Sequence, residues 1–305
     1  MSQSILRIGT RGSRLARAQA ELAAHALRRQ GKVCEIVPIR TAGDRILDRT
    51  LADAGGKGLF TKELEEALVA DRIDVAVHSM KDVPAALPQG LTIAAVLPRE
   101  NPADVLIGAR PLAQLAPGAR VGTSSVRRKA QLLRVKPETA CVILRGNVDT
   151  RLAKLEAGEM DAIVLALAGL NRLGLAPQPS FVLSTDEWLP SLGQGAIGIE
   201  IREGDARAAQ AVRPLDHAPS AVALACERAF QAALDGSCRT PIAGLATIDG
   251  DALCFRGEVL APDGRDAADT GFRVKLGKDA QGEAARAGRV AGEALRPRAE
   301  RWLVL

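Results

Sequence analysis

The sequence predicts an α/β fold: two similar domains facing each other across a cleft, followed by a small α+β domain. Three observations predict it. Strand-like and helix-like runs alternate from the start as far as Gly193, which implies sheets with helices on their faces. Short motifs recur: Arg7-Ile-Gly-Thr10 and Arg120-Val-Gly-Thr123 each precede a basic helix carrying Ala-Gln, and Asp74-Val-Ala-Val77 is echoed by Asp161-Ala-Ile-Val164. After Pro219 the order changes to a helix, three strand-like runs and a closing helix.

Ile5 to Gly9 reads as a strand and Thr10 to Ser13 as a turn. Ser13 is placed to cap a helix running to about Gln30, with Leu15, Ala18, Leu22 and Ala26 on one face and Gly31 as its stop. Val33 to Ile39 is a buried-type strand, Phe60 to Ala70 a helix, and Asp74 to Val77 a strand. The alternation predicts a largely parallel sheet. Between them the segment 41–58 carries four glycines and no periodicity, the pattern of a lid. In the second stretch Arg120 to Gly122, Cys141 to Leu144 and Asp161 to Ala166 are strands, and Val126 to Arg134 and Val148 to Ala157 are helices. Gly193-Gln-Gly-Ala-Ile-Gly-Ile-Glu200 reads as a hinge crossing back to the first domain. Ser220 caps a helix to Leu234. Strands over Ile242 to Ile248, Ala252 to Leu260 and Gly271 to Leu276 precede a helix from Ala280 to Leu295. The domains expected are therefore 1–99 with 196–216, 100–195, and 217–305.

The 305 residues are 47% apolar, enough for several cores. Lys and Arg exceed Asp and Glu by 41 to 36, a mild +5 without basic runs, and aromatics are only 2%. Stacking platforms for single-stranded nucleic acid are thus missing, and no nucleic-acid partner is expected. The longest apolar run, Ala162 to Leu170, is about half a membrane span, and no membrane partner is expected. Five cysteines, with no C-x-x-C spacing, indicate neither a disulfide framework nor a metal site, and fit a cytoplasmic protein. Nothing suggests an obligate interface, so a monomer is expected.

Arginines at strand-to-helix turns are the clearest chemical signal. Arg11, Arg127 and Arg128 lie beside Thr10, Ser13, Thr123, Ser124 and Ser125, while Arg145, Arg151 and Arg172 fall at comparable strand ends or first turns. Guanidinium forks, hydroxyls and open backbone N–H groups together hold carboxylates or phosphates. Gly55-Gly-Lys-Gly58 lacks the spacing of a phosphate loop. In His78-Ser-Met-Lys-Asp-Val-Pro84, Asp82 is either a cap or a carboxylate for a cationic intermediate; His78 packs at the strand end. Cys34, Cys141, Cys226 and Cys254 read as core residues. Cys238, in a loop beside Arg239, reads as a nucleophile or attachment point.

The stretches RIGTRGSRLA, GGKGLFTKELE, DVAVHSMKDVP, VGTSSVRR, LRGNVDTRL, LALAGLNRLG, GQGAIGIE and CERAFQAALDGSCRTPIAG, in this order over residues 7–244, resemble the porphobilinogen deaminase (hydroxymethylbilane synthase) family. That resemblance implies two domains like the halves of a periplasmic binding protein and a third bearing a cofactor on a cysteine. It implies a transferase that joins four porphobilinogen molecules head to tail with loss of ammonia, primed on a dipyrromethane held by a thioether. Residue by residue, Cys238 matches the attachment cysteine and Asp82 the catalytic carboxylate. Arg11, Ser13, Thr123, Ser125, Arg127, Arg128, Arg145, Arg151 and Arg172 match holders of acetate and propionate side chains. Lys57, Phe60, Lys81 and Gln194 match further site positions, and 41–58 matches a mobile loop. Ser237 stands where many members have Gly, and Asp53 where some have Lys. Two rival classes share the anion cleft: a binding module, which needs neither Asp82 nor Cys238, and a nucleic-acid binder, which requires strong salt dependence.

Overall fold

The computed structural model describes residues 5–45, 58–108, 111–234 and 240–303. It holds two five-stranded sheets and one three-stranded sheet. The first sheet comprises β1 (Leu6–Arg11), β2 (Cys34–Ile39), β3 (Val75–Ser79), β4 (Leu91–Val96) and a late strand, β10 (Ile197–Arg202), in the order β2-β1-β3-β10-β4. The second comprises β5 (Asp104–Ile107), β6 (Arg120–Gly122), β7 (Ala140–Val142), β8 (Ala162–Ala166) and β9 (Ser180–Val182), in the order β7-β6-β8-β5-β9. The first three strands of each order are parallel, and the remaining two pair antiparallel. The two units therefore share one topology, and each sheet is mixed rather than largely parallel. β10 in the first sheet and β5 in the second make the antiparallel pairs, with β3 and β4 and with β8 and β9.

The echoed motifs occupy equivalent places. Arg7 N–H donates to the Asp74 carboxylate at 2.7 Å and receives the Asp74 N–H on its carbonyl at 2.9 Å. Arg120 and Asp161 make the same pair of bonds at 2.7 and 2.9 Å. One Asp before the third strand thus ties it to the first in both units. The strand equivalent to β5 in the first unit is β10, which the chain reaches only after completing the second unit. The two units are therefore joined by two crossovers, 97–103 and 183–196. The second is the glycine-rich segment expected to cross back.

Helices follow the strands: α1 (Arg14–Arg28), α2 (Ala42–Arg45), α3 (Lys62–Val69), α4 (Val126–Val135), α5 (Val148–Glu156), α6 (Leu167–Leu173) and α7 (Ala206–Val212). Ser13 caps α1 as expected, accepting the Ala16 N–H. The buried face differs from the one expected. Ala16, Ala20, Ala23, Ala24 and Leu27 face the sheet, while Leu22 is exposed. Small alanines let the helix approach the sheet closely, and the neighbouring Leu15 lies against Gly169 of α6 in the second unit.

The third unit packs α8 (Ala218–Ala233) and α9 (Ala280–Ala299) on the antiparallel sheet of β11 (Ile242–Asp249), β12 (Ala252–Leu260) and β13 (Ala267–Lys275). Phe230, Phe255 and Phe272 meet there, with centroids 4.8 and 5.5 Å apart. Ser220 does not cap α8. The helix begins before it, with Pro219 in the first turn where its missing N–H is harmless, and the Ser220 hydroxyl accepts the Arg99 N–H at 2.9 Å. Of the cysteines expected in cores, Cys226 is fully buried, whereas Cys34, Cys141 and Cys254 are half-buried on strands at sheet edges or on an open face. No helix among the described residues is long and apolar enough to cross a membrane.

α8 and α9 approach closely because Gly288 has no side chain. A Cβ there would lie 2.2 Å from the Cys226 carbonyl oxygen, a backbone atom that cannot yield. Gly288→Ala is expected to destabilise the third unit by about 1–3 kcal/mol despite its better helix propensity. A lowered midpoint in thermal unfolding checks this.

Candidate active site

The carboxyl ends of the parallel strands in both units carry the residues singled out from the sequence, as open α/β sheets dictate. Arg11 ends β1, and Ser13 caps α1. Thr123 follows β6; Ser125 caps α4 by accepting the Arg128 N–H at 3.3 Å. Arg145 follows β7, Arg151 lies in α5 and Arg172 in α6. Lys81 and Asp82 occupy the single 3-10 turn, Met80–Asp82, that leaves β3.

Asp82 is partly exposed, and one oxygen lies 3.6 Å from Arg11 Nη1. The Arg11 guanidinium also sits over the Phe60 ring at 4.1 Å. Phe60 in turn covers Gly43 of α2, where a Cβ would strike the ring at 2.2 Å. Thus the ends of the segment 41–58 meet beside Arg11. The intervening residues 46–57, with Lys57, lie outside the described residues, as do residues 235–239 with Cys238.

Across from Asp82 the arginines divide into two groups. Arg128 is buried and holds both oxygens of Asp104, at 2.7 and 3.2 Å, as well as the Val164 carbonyl at 2.9 Å. Arg127 is also buried; its Nη1 lies 2.9 Å from Asp104 and bonds Gln131 and the Leu189 carbonyl. Its Nη2 is buried and has no hydrogen-bond partner among the described residues. Asp104 is fully buried. Burial favours its neutral form, but the charges of Arg127 and Arg128 outweigh that and hold it far below the usual carboxylate range. Arg172 reaches the Gly195 carbonyl at 2.6 Å. These three therefore bind the protein's own acceptors, whereas the sequence reading placed all six arginines in one ligand-holding set.

Arg151 is set apart by its charged surroundings rather than by lack of an internal acceptor, since its Nε donates to the Gly146 carbonyl at 2.9 Å. Burial, then repulsion from Arg128 and Arg145, lowers its pKa to about 10, with Asp82 opposing. Arg145 is buried nearby. Lys81 is lowered to about 8, first by burial and next by Arg128, while Asp82 and Asp104 resist. Its ammonium donates to Gln194 Oε1 at 3.3 Å. Like charges crowded in a low-dielectric cleft are a field for anions. Such a donor set fits a polycarboxylate cofactor such as dipyrromethane.

Gln194 is buried in the second crossover. Its amide donates to the Pro102 carbonyl and to Asp104, both at 2.8 Å, so it bridges the two crossovers. Gly195 is in the left-handed region at φ 84°, and a Cβ there would meet the Glu100 carbonyl oxygen at 2.3 Å. Only glycine allows the crossovers to run this close.

Sequence reasoning missed the residues that fix this frame: Asp104, Trp188, Arg99 and Glu227. Trp188 donates its indole N–H to Asp104 at 2.9 Å. Glu227 of α8 is fully buried and accepts from Arg99 at 2.6 and 3.2 Å, from the Gly193 N–H at 2.6 Å and from the Ala246 N–H at 2.8 Å. One carboxylate thus clamps both crossovers to the third unit. No local pattern marks these residues; a strand-opening Asp or a helical Glu reveals its partner only in three dimensions. His78 is packed as expected, 2.9 Å from buried Glu200.

Residues 6–210 match the family model described as porphobilinogen deaminase, dipyromethane cofactor binding domain, and residues 221–296 match porphobilinogen deaminase, C-terminal domain. Porphobilinogen deaminases of Nitrobacter hamburgensis and Nitrobacter winogradskyi are each 50% identical over 298 residues, covering 96% of this chain and 93% of theirs. Among solved structures, a Salmonella typhimurium periplasmic binding protein is 12% identical with a TM-score of 0.40, covering 69% of this chain and 91% of its own. A periplasmic substrate-binding protein of an ABC transporter from Coxiella burnetii is 17% identical with a TM-score of 0.43, covering 73% and 96%.

Glu227→Ala is expected to leave Arg99 and two N–H groups without their acceptor, at a cost of about 3–5 kcal/mol. The check is a lower thermal midpoint together with faster proteolysis at 97–103 and 183–196.

Proposed function

Because the chain belongs to the porphobilinogen deaminase family, we propose that it joins four porphobilinogen molecules head to tail, with loss of ammonia at each addition, to give hydroxymethylbilane. One observation carries the site assignment: a carboxylate, Asp82, stands just beyond β3 with Arg11 3.6 Å away and close enough to Arg151 to stabilise its charge. The reading divides the chain into 1–99 with 196–216, 100–195, and 217–305. It places a thioether at Cys238 and a cytoplasmic monomer acting on porphobilinogen and the growing oligopyrrole, without nucleic acid or membrane.

When bound, the dipyrromethane supplies the free pyrrole α-carbon from which the chain grows. The protein's own residues handle the incoming substrate. Loss of ammonia from porphobilinogen leaves a methylene-pyrrolenine whose protonated form is cationic. Asp82 stabilises that charge where it develops and accepts a hydrogen bond from the pyrrole N–H. Arg11, braced on Phe60, orients the carboxylate. Each added ring brings two further carboxylates. Arg145 and Arg151 offer them forked donors, and the buried Nη2 of Arg127 adds another. Ser13, Thr123 and Ser125 sit at the first turns of α1 and α4, where N–H groups favour anions. Lys57 is assigned as a further binding residue, and Phe60 as the support of Arg11. Lys81 and Gln194 hold the two units in register while Lys81 adds charge.

Intact mass of the purified protein is expected to exceed the sequence mass by a dipyrromethane, and Cys238→Ser to remove the excess. An unmodified protein with full turnover overturns the cofactor assignment. Lys81 carries its charge below about pH 8 and loses it above. Carboxylate binding that uses this charge therefore weakens as pH rises through that value. The KM for porphobilinogen is expected to climb across this window, and Lys81→Gln to lack that rise.

A further inference from the structure

The turn that bears Asp82 is only three residues long, and three supports hold it. The Met80 N–H donates to the Ala196 carbonyl in the second crossover at 3.0 Å. Met80 and Val83, on either side of Lys81 and Asp82, pack against Ala221 and Leu224 of α8. The third support is a side chain. Arg228, also on α8, donates through Nη2 to the carbonyls of Pro84 and Ala85, both at 2.9 Å. These are the second and third residues beyond Asp82. Arg228 Nη1 is buried without a hydrogen-bond partner among the described residues, and Glu200 supplies an opposing charge to the guanidinium.

Two of these supports come from the third unit, not from the sheet that carries Asp82. Resting on the reading of Asp82 as the catalytic carboxylate, we propose that Arg228 is a positioning residue: it grips the carbonyls behind Asp82 and so sets where that carboxylate stands in the cleft. A short 3-10 turn has poor internal hydrogen bonding, so its exit direction follows whatever fixes the next residues. A planar guanidinium nitrogen with two N–H bonds fixes two successive carbonyls at once. Releasing them lets the turn shift, and a misplacement of about 1 Å at a reacting group costs up to about a hundredfold in rate. The neighbouring residue on the helix, Glu227, clamps both crossovers. α8 therefore sets the hinge and the catalytic turn in one frame, and the chain then runs from its end into the segment containing Cys238.

The test is a double-mutant cycle on the loaded enzyme, with Arg228→Met, Asp82→Asn and the pair, each checked by intact mass for the dipyrromethane. Arg228→Met is expected to keep the cofactor mass, to lower kcat by about tenfold and to leave KM within about twofold. Arg228→Lys is expected to recover most of the loss, since an ammonium can still donate to one carbonyl. In the Asp82→Asn background the same change is expected to cost nothing further, because the group being positioned is gone. An unchanged kcat in Arg228→Met overturns the proposal, as does a full additional loss in the double variant or a loss of the cofactor mass. Should Arg228→Met fail to fold, the cycle is run with Arg228→Lys, where any shortfall in kcat must again vanish beside Asp82→Asn. If Asp82→Asn itself turns over normally, the underlying assignment of Asp82 fails instead; a dead Asp82→Asn beside a normal Arg228→Met rejects the positioning role alone.

Discussion

Five donors converge on the buried carboxylate of Asp104: two from Arg128 and one each from Arg127, Trp188 and Gln194. An isolated carboxylate at this depth would take up a proton, and two adjacent buried guanidiniums would repel each other. Together they form a group with one net positive charge. The donors come from two distant stretches of the chain: Arg127 and Arg128 from the first turn of α4, and Trp188 and Gln194 from the second crossover. The packing of the second unit against both crossovers is therefore set by this neutralisation, and so is the charge that remains for the cleft.

What remains is uneven, and the unevenness is chemically useful. Arg127 and Arg128 have most of their donors on internal acceptors, so they contribute field more than contact. Arg151 and Lys81 stand in that field, and their pKa values fall, first through burial and then through repulsion from Arg128. Ligand carboxylates entering the cleft relieve that repulsion. A site arranged in this way gains from each anionic ring added to a growing chain, which suits the oligopyrrole chemistry proposed above.

The third unit also fixes the frame of the other two. Glu227 holds Arg99 of one crossover and Gly193 of the other, and its neighbour Arg228 holds the backbone behind Asp82. Both crossovers and the turn bearing Asp82 are therefore tied to α8. The close run of the crossovers at Gly195 and Glu100 makes the hinge a pair of touching chains rather than a loose linker.

Much of this was legible in the sequence because it is local. Ser13 before an amphipathic run, Arg120-Val-Gly122 before a capped basic helix, and the echo of Asp74 in Asp161 specify elements and their repetition through short-range hydrogen bonds and periodicity. The arginines at strand ends marked an anion site for the same reason, since strand-to-helix turns place side chains at one edge. Tertiary structure decided the rest. It placed β10 in the first sheet from beyond the second unit. It buried the face of α1 formed by Ala16, Ala20, Ala23, Ala24 and Leu27 in preference to that of Leu15 and Leu22. It also turned Arg127 and Arg128 toward Asp104. Pairings between residues distant in sequence depend on which surfaces meet, and burial gives a charge its partner only once those surfaces have closed.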